Sequence, residues 1–280
     1  LAVYLEISEM LKRKDEADWA RTRLADFDAR IEGVAWDGDW FIRGIRDDGS
    51  ILGTKDDSEG SIFLNAQSWA EQRKRAMDMV HEKLATEFGI MVCTPPFEKT
   101  DYHVVRAVLF NSGMKENGGI FSHPQGWAVM SEAILGRGDR AYEYHRAYMP
   151  AAYNDRAEVR QVEPYVHCQS THSPFSRRYG SSRLPWLTGT ASWAYYSATW
   201  GILGIQPEYE GLRINPCLPS AWKEIHVTRH FRGRDFDITI RNGKKGKGVT
   251  SMEVNGKAIE GDVIPESAFG KSNQVTVQLA

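Results

Sequence analysis

Two periodicities divide the chain. Up to about residue 204 the apolar residues recur every three or four positions, the spacing of one helix face. Residues 1–11 read as an amphipathic helix, and Ala20, Leu24, Phe27 and Ile31 mark the stripe of a second. Asn65 can cap a third helix that carries Trp69, Met77, Val80, Leu84 and Phe88 and ends at Gly89. Trp127, Met130 and Ile134 form the next stripe, stopped at Gly136. Asp139 can cap another with Tyr144 and Tyr148, and a last helix runs from Gly189 through Trp193, Tyr196 and Trp200. Beyond Gly204 the period drops to two, in Gly211-Leu212-Arg213-Ile214, Ile225 to Phe231, Phe236 to Ile240 and Val275-Thr276-Val277. Asn242-Gly243 and Asn255-Gly256 are hairpin-turn signals. The expected architecture is mainly α over residues 1–206, followed by a small antiparallel β domain over 207–280, with 205–219 as the hinge.

Between the helices lie long segments, 36–59, 94–123 and 163–187, rich in Gly, Asp, His and Trp. Ordered loops of such length usually carry function. Hydrophobic residues make up 41% and charged ones 26%, which places the chain among ordinary soluble globular proteins. A net charge of −2 provides no field to recruit nucleic acid or an anionic membrane, and no apolar run approaches a bilayer span. Cys93, Cys168 and Cys217 stand singly, without metal or redox spacing, so a reducing cytoplasm is the expected setting. The chain opens directly in a helix without an initiator Met, from which we expect it to begin inside a larger fold. Nine Trp and eleven Tyr suit sugar recognition, because ring faces stack on pyranose C–H groups while N–H and O–H groups remain available; they equally suit a core.

Four segments carry candidate chemistry. Thr188-Gly189-Thr190-Ala191 stands where a loop becomes a helix. It reads either as a simple cap or as an anion cradle of hydroxyl and free amides, which glycine lets an anion approach. In Lys115 to His123, Glu116 can accept from sugar hydroxyls, and His123, before Pro124, can donate to a phosphate oxygen. The bland alternative is a structural His with Glu116 paired to Lys115. Trp36-Asp37-Gly38-Asp39-Trp40 interleaves rings and carboxylates, as a sugar-binding loop or a solvated turn does. Asp37 and Asp39 are too close in sequence to straddle a scissile bond, so they do not form a glycosidase acid–base pair. Gln169, at the end of Glu163-Pro164-Tyr165-Val166-His167-Cys168-Gln169, offers a donor and an acceptor. His167 and His172 find no third ligand at zinc spacing, and neither metal nor cofactor is expected.

Together with Gln67-Ser68-Trp69-Ala70, Trp186-Leu187-Thr188-Gly189-Thr190-Ala191 and Gly211-Leu212-Arg213-Ile214-Asn215-Pro216-Cys217-Leu218-Pro219, these segments resemble glycoside hydrolase family 94, the cellobiose, cellobionate and chitobiose phosphorylases. The motifs stand in family order and reach Trp222. The resemblance implies the C-terminal part of an (α/α) six-hairpin barrel followed by a jelly-roll-like domain. It implies a phosphate site at His123, Gln169, Thr188 and Gly189, and sugar contacts from Glu116, Trp36 and Asp37. The general-acid Asp is then expected upstream of residue 1, in the missing N-terminal part of the same protein, and a homodimer is expected. Phosphate is the co-substrate. It is already anionic near neutral pH, so an anion pocket can replace the base carboxylate of an inverting glycosidase. Arg106, at a position that varies with the acceptor in the family, inclines the substrate toward cellobionate, with cellobiose beside it; the alternative is an arginine paired to Asp101 or Glu98. An inverting hydrolase on the same barrel and a non-catalytic carbohydrate-binding fragment remain open readings.

Overall fold

The computed structural model describes residues 1–68 and 74–280. Trp69 and Ala70, expected in the third helix and in the Gln67–Ala70 motif, lie outside the described residues. The chain is a mixture of helix (36%) and strand (26%), more strand than the mainly-α expectation allowed. Short two- to four-residue pairings stand within the region expected to be helical, some in the long loops and one, the β4–β5 hairpin, at the end of the expected third helix.

Helices α1 (Ala2–Met10) and α2 (Lys14–Ala35) form an antiparallel pair. Their seam is made of small residues, Ser8, Ala17 and Ala20, all buried. Two short pairings follow, β1 (Gly44–Ile45) with β2 (Ile51–Leu52), and β3 (Ile62–Phe63) with β6 (Cys93–Thr94). Between the latter two lie α3 (Leu64–Ser68), α4 (Lys74–Leu84) and the hairpin β4 (Ala85–Thr86)–β5 (Gly89–Ile90). The expected helix therefore stops at Leu84. Phe88 keeps the helical spacing only because the hairpin turn buries it beside Tyr153 and Tyr179. Strand β7 (Ile120–Phe121) leads into α5 (Gln125–Ile134) and α6 (Gly138–Tyr148), which pack on each other. Gly136, at φ +77, ends α5 as expected. Asp139 is not the cap of α6; it sits in the first turn and accepts the Ser220 amide at 2.7 Å, tying the helix to the β region. After α7 (Ala157–Arg160), β8 (Cys168–Thr171) and β9 (Ser182–Pro185) join β7 in a sheet of order β7-β8-β9. Helix α8 (Thr190–Tyr196) continues into a wider π turn, Ser197–Ile202.

The β region holds two sheets. One is β10 (Ile205–Pro207), β11 (Gly211–Ile214) and β16 (Val263–Pro265), and β10 begins ahead of the expected boundary at 207. The other comprises β12 (Glu224–Phe231), β13 (Arg234–Arg241), β14 (Val249–Val254), β15 (Lys257–Ile259) and β17 (Ser272–Leu279), in the order β12-β13-β17-β14-β15. It is not purely antiparallel, because β17 enters between β13 and β14 and runs parallel to β13. Parallel neighbours need a long crossover, and residues 242–271 supply it. Asn255-Gly256 turns the β14–β15 hairpin with both residues at positive φ, the type I′ requirement. Asn242-Gly243 is no hairpin turn. The β12–β13 turn is Arg232-Gly233, and Asn242 instead donates to the Pro219 and Trp222 carbonyls. One hydrophobic core runs from Leu64, Met77 and Val80 through Val129, Tyr144 and Ile202 to Ile214, Phe236 and Val277. Among the described residues, no helix is long and apolar enough to cross a membrane.

Candidate functional site

Three buried amides shape the loops around the site. Gln67 accepts the Phe41 amide and donates to the Phe41 and Phe63 carbonyls, at 2.8 to 3.0 Å. Asn117 treats Phe97 the same way and adds the Phe110 carbonyl. Gln125 does so for Ile90 and adds Phe121. Each side chain closes a strand-like pair of hydrogen bonds with the amide and carbonyl of one residue, which helps long loops stay buried without orphaned polar groups. Gln67 and Asn117 stand in motifs singled out from the sequence, but the bridging role of none of the three follows from it, since nothing in local spacing distinguishes a buried amide from an exposed one. Gly119 belongs to the same construction, because a Cβ there would lie 2.5 Å from the Lys115 amide nitrogen.

The resulting cleft, about 500 Å³, is lined by Arg43, Phe63, Asn65, Arg106, Glu116, His123 and Trp127 among others. Of the sequence candidates, it collects Arg106, Glu116 and His123. Arg106 opens a one-turn 3₁₀ helix, Arg106–Leu109. Among the described residues no ion pair joins it to its expected alternatives: Glu98 accepts Ser112 Oγ at 3.0 Å and Asp101 accepts the His103 amide at 2.7 Å. Lys115 likewise does not pair with Glu116; its ammonium sits over the Phe110 ring at 5.2 Å. Arg43, beside Phe63 with its guanidinium 5.6 Å from the ring centroid, is a cleft cation that the sequence reading missed for want of a motif.

The β7-β8-β9 sheet brings the other candidates to His123. Phe121 faces Ser170, and the Ser122 amide donates to Gln169 O at 2.9 Å, so His123 leaves the sheet beside Gln169. Cys168 faces Pro185 on β9, and the Trp186 amide donates to His167 O. The turn after β9 therefore starts at the same end of the sheet. It leads to Gly189, where a Cβ would meet His123 Cε1 and Nδ1 at 3.1 Å. Thr188 Oγ1 accepts the Thr190 amide at 3.1 Å and lies 2.5 Å from Thr190 Oγ1, a local turn just ahead of α8, whose N-cap is Gly189 and has no side-chain cap. Gln169 Oε1 is buried with no hydrogen-bond partner among the described residues. Behind this corner, burial holds the His167 imidazole below its ordinary value, and the nearby Arg160 charge adds to the effect. Cys168, which touches Ser122 Oγ and Thr171 Oγ1 at 3.6 Å, is a packed thiol.

Trp36 and Asp37 are placed apart from this lining. Trp36 bridges to Phe41, with ring centroids 5.0 Å apart, and Asp37 Oδ2 accepts the Lys55 amide at 2.8 Å. Asp39 pairs with Arg75 at 2.8 Å.

A carbohydrate-active catalytic domain fits this combination of a polar, aromatic-flanked cleft and a loop-built corner, and comparison with known sequences agrees. The chain belongs to the glycosyl hydrolase 94 superfamily, whose catalytic-domain model matches residues 1–204; the C-terminal-domain model of glycosyl hydrolase family 65 matches residues 207–260. An N,N'-diacetylchitobiose phosphorylase from Vibrio furnissii is 40% identical over 87% of this chain and 32% of its own length. A solabiose phosphorylase from Paenibacillus borealis is 31% identical over 89% of this chain and 34% of its own. A cellobionic acid phosphorylase from Neurospora crassa is 35% identical over 74% and 28%. The chain thus spans about a third of the length of the curated relatives it matches.

Proposed function

We propose that residues 1–280 supply the phosphate corner and part of the sugar cleft of an inverting disaccharide phosphorylase. The observation that carries this reading is the convergence of His123, Gln169 and Gly189 through one small sheet, at the edge of a cleft that also holds Glu116 and Arg106. His123 donates to the phosphate. Thr188, whose oxygen accepts the Thr190 amide, turns its proton to the same anion, and Gly189 leaves the backbone accessible. Rotation of the Gln169 amide puts a donor where an unpartnered oxygen now lies. Phosphate held there attacks the anomeric carbon from the face opposite the leaving sugar and gives α-glucose 1-phosphate. An Asp carried outside residues 1–280 protonates the glycosidic oxygen. Positioning and charge stabilisation are this chain's contribution.

Glu116 accepts from sugar hydroxyls; Trp36 and Asp37, which lie apart from the cleft lining, would reach the sugar only from a neighbouring loop. The helices belong, in this reading, to an (α/α) six-hairpin barrel whose partner helices lie against the apolar faces of α1 and α2. The two sheets form its jelly-roll-like companion, and the working form is a cytoplasmic homodimer. Arg106 selects an acceptor that bears a carboxylate, of cellobionate type. It faces the cleft without an acidic partner among the described residues, and a guanidinium matches a carboxylate with two parallel hydrogen bonds.

The test is sugar release by the intact protein with and without phosphate. Phosphate-dependent formation of α-glucose 1-phosphate is expected. His123→Ala should raise the KM for phosphate, by a loss of roughly 1.5–3 kcal/mol, and leave that for the disaccharide nearly unchanged. Release at the same rate without phosphate would make the protein a hydrolase, and binding without release a carbohydrate-binding module. In the same assay Arg106→Ala should lower kcat/KM for cellobionate more than for cellobiose; an equal loss on both removes Arg106 from acceptor choice.

A further inference from the structure

The His123 imidazole is flanked by two indoles and faces Gly189. Trp127, one turn further along α5, stands at 5.5 Å between centroids and 70° between planes. Trp193 on α8 stands at 6.2 Å and 51°. Gly189 faces the Cε1–Nδ1 edge, where a Cβ would lie 3.1 Å away and glycine leaves that space open. The two indoles brace each other edge to face, 5.8 Å apart at 87°. Trp193 is in turn backed by Tyr196 at 5.4 Å. Its main chain is pressed against α5 at Gly126, where a Cβ would come within 2.9 Å of the Trp193 carbonyl oxygen and 3.0 Å of its Cβ. Both indoles are half-buried; Trp127 lines the cleft, whereas Trp193 is absent from the lining.

We infer that Trp193 is a positioning residue for His123. It holds the imidazole in the single orientation from which the ring reaches an anion beside Gly189. An imidazole turns about two side-chain bonds, and without the second indole the ring has free space on its α8 side. A donor that wanders loses most of its value to a bound anion, because misplacement by about 1 Å can cost on the order of a hundredfold in rate. The inference rests on the phosphorylase reading above, and it adds a residue to the anion corner that touches neither phosphate nor sugar. Trp193 and Gly189 lie one turn apart on the same helix, with the Trp193 amide reaching back to Gly189 O at 3.5 Å. The helix that presents the Gly189 backbone therefore also carries the brace for the imidazole.

The experiment is a double-mutant cycle in the intact enzyme, read as separate KM values for phosphate and disaccharide. Trp193→Leu should raise the phosphate KM about tenfold and leave the disaccharide KM within about twofold, and Trp193→Phe should recover most of the loss. Combined with His123→Ala, Trp193→Leu should cost almost nothing more, because the brace then has nothing to hold. Should Trp193→Leu fail to fold, Trp193→Met, close in volume and adaptable in packing, replaces it in the cycle. Equal rises in both KM values, or additive losses in the cycle, would overturn the inference while leaving phosphate dependence standing. A wild-type enzyme indifferent to phosphate would overturn both it and the phosphorylase reading.

Discussion

The α1–α2 pair and the five-stranded sheet carry apolar residues at equally regular spacing and bury them to opposite extents. Val3, Ile7 and Met10 on α1, and Phe27, Ile31 and Val34 on α2, all stand exposed, with Phe27 at 53%. In the sheet, Phe236, Ile238, Ile240 and Val277 are fully buried. The helices do not form worse than the strands. Their seam is made of Ser8, Ala17 and Ala20, which bring the two backbones together but leave the larger residues pointing outward. The sheet has Phe269 against it, with Phe236 meeting Phe269 at 4.9 Å, and it shares one hydrophobic core with Leu212, Ile214 and Ile264 of β11 and β16. Amphipathic spacing thus tells which face seeks cover. Cover itself is a property of the neighbouring element.

The contrast is sharpest in stability. Phe236→Ala should cost about 3–5 kcal/mol in a urea titration, the loss of a fully buried ring plus the cavity it leaves. A loss below about 1 kcal/mol would mean that the sheet region relaxes around the cavity, and the contrast would fail from that side.

An intermediate effect should come from pH, through the body of the fold rather than either extreme. His145 on α6 is pushed down to about 4 by burial, with His167 adding to the shift, and its Nδ1 is buried without a hydrogen-bond partner among the described residues. The unfolded chain binds this proton near the ordinary value of 6.5, the folded one only near 4. Between those values the unfolded state holds more protons, so stability should fall as pH drops from 6.5 toward 4. Burial also lowers His167 and His172, so His145→Gln should flatten part of that slope in thermal melts, not all of it. An unchanged slope would remove His145 from the acid response.

The smallest effect should be Phe27→Ala, within about 0.5 kcal/mol if its face stays in water. A loss approaching that of Phe236→Ala in the intact protein would show that another surface covers α2, and would break the comparison in the most informative way.

Much of this was legible in residue order. The helices carrying Trp127, Tyr144 and Trp193 and the switch to period two near Gly204 follow from local spacing, because side-chain direction repeats with the backbone. His123, Gln169, Thr188 and Gly189 are nominated by the family resemblance rather than by spacing, and their role belongs to the proposed function. Other features were not legible. Phe88 keeps a helical phase inside a hairpin, and Arg232-Gly233 makes a type I′ turn without the usual Asn or Asp. The pairing of β17 alongside β13 joins segments more than thirty residues apart, which no local pattern encodes.

The candidate site divides along the same line. Chemical identity came from the residues themselves: an imidazole before Pro124, a hydroxyl and a glycine at a helix start, a carboxylate after Lys115. Their meeting did not. His123 reaches Gly189 only because β8 pairs with both β7 and β9, and Arg106 and Glu116 share a cleft only because Gln67, Asn117 and Gln125 stitch three loops to backbones far away in sequence. Periodicity is a one-dimensional consequence of backbone geometry, so the order of residues is enough to show it. Which groups face one another across a cleft depends on hydrogen bonds closed over long loops, and those exist only once the chain has packed.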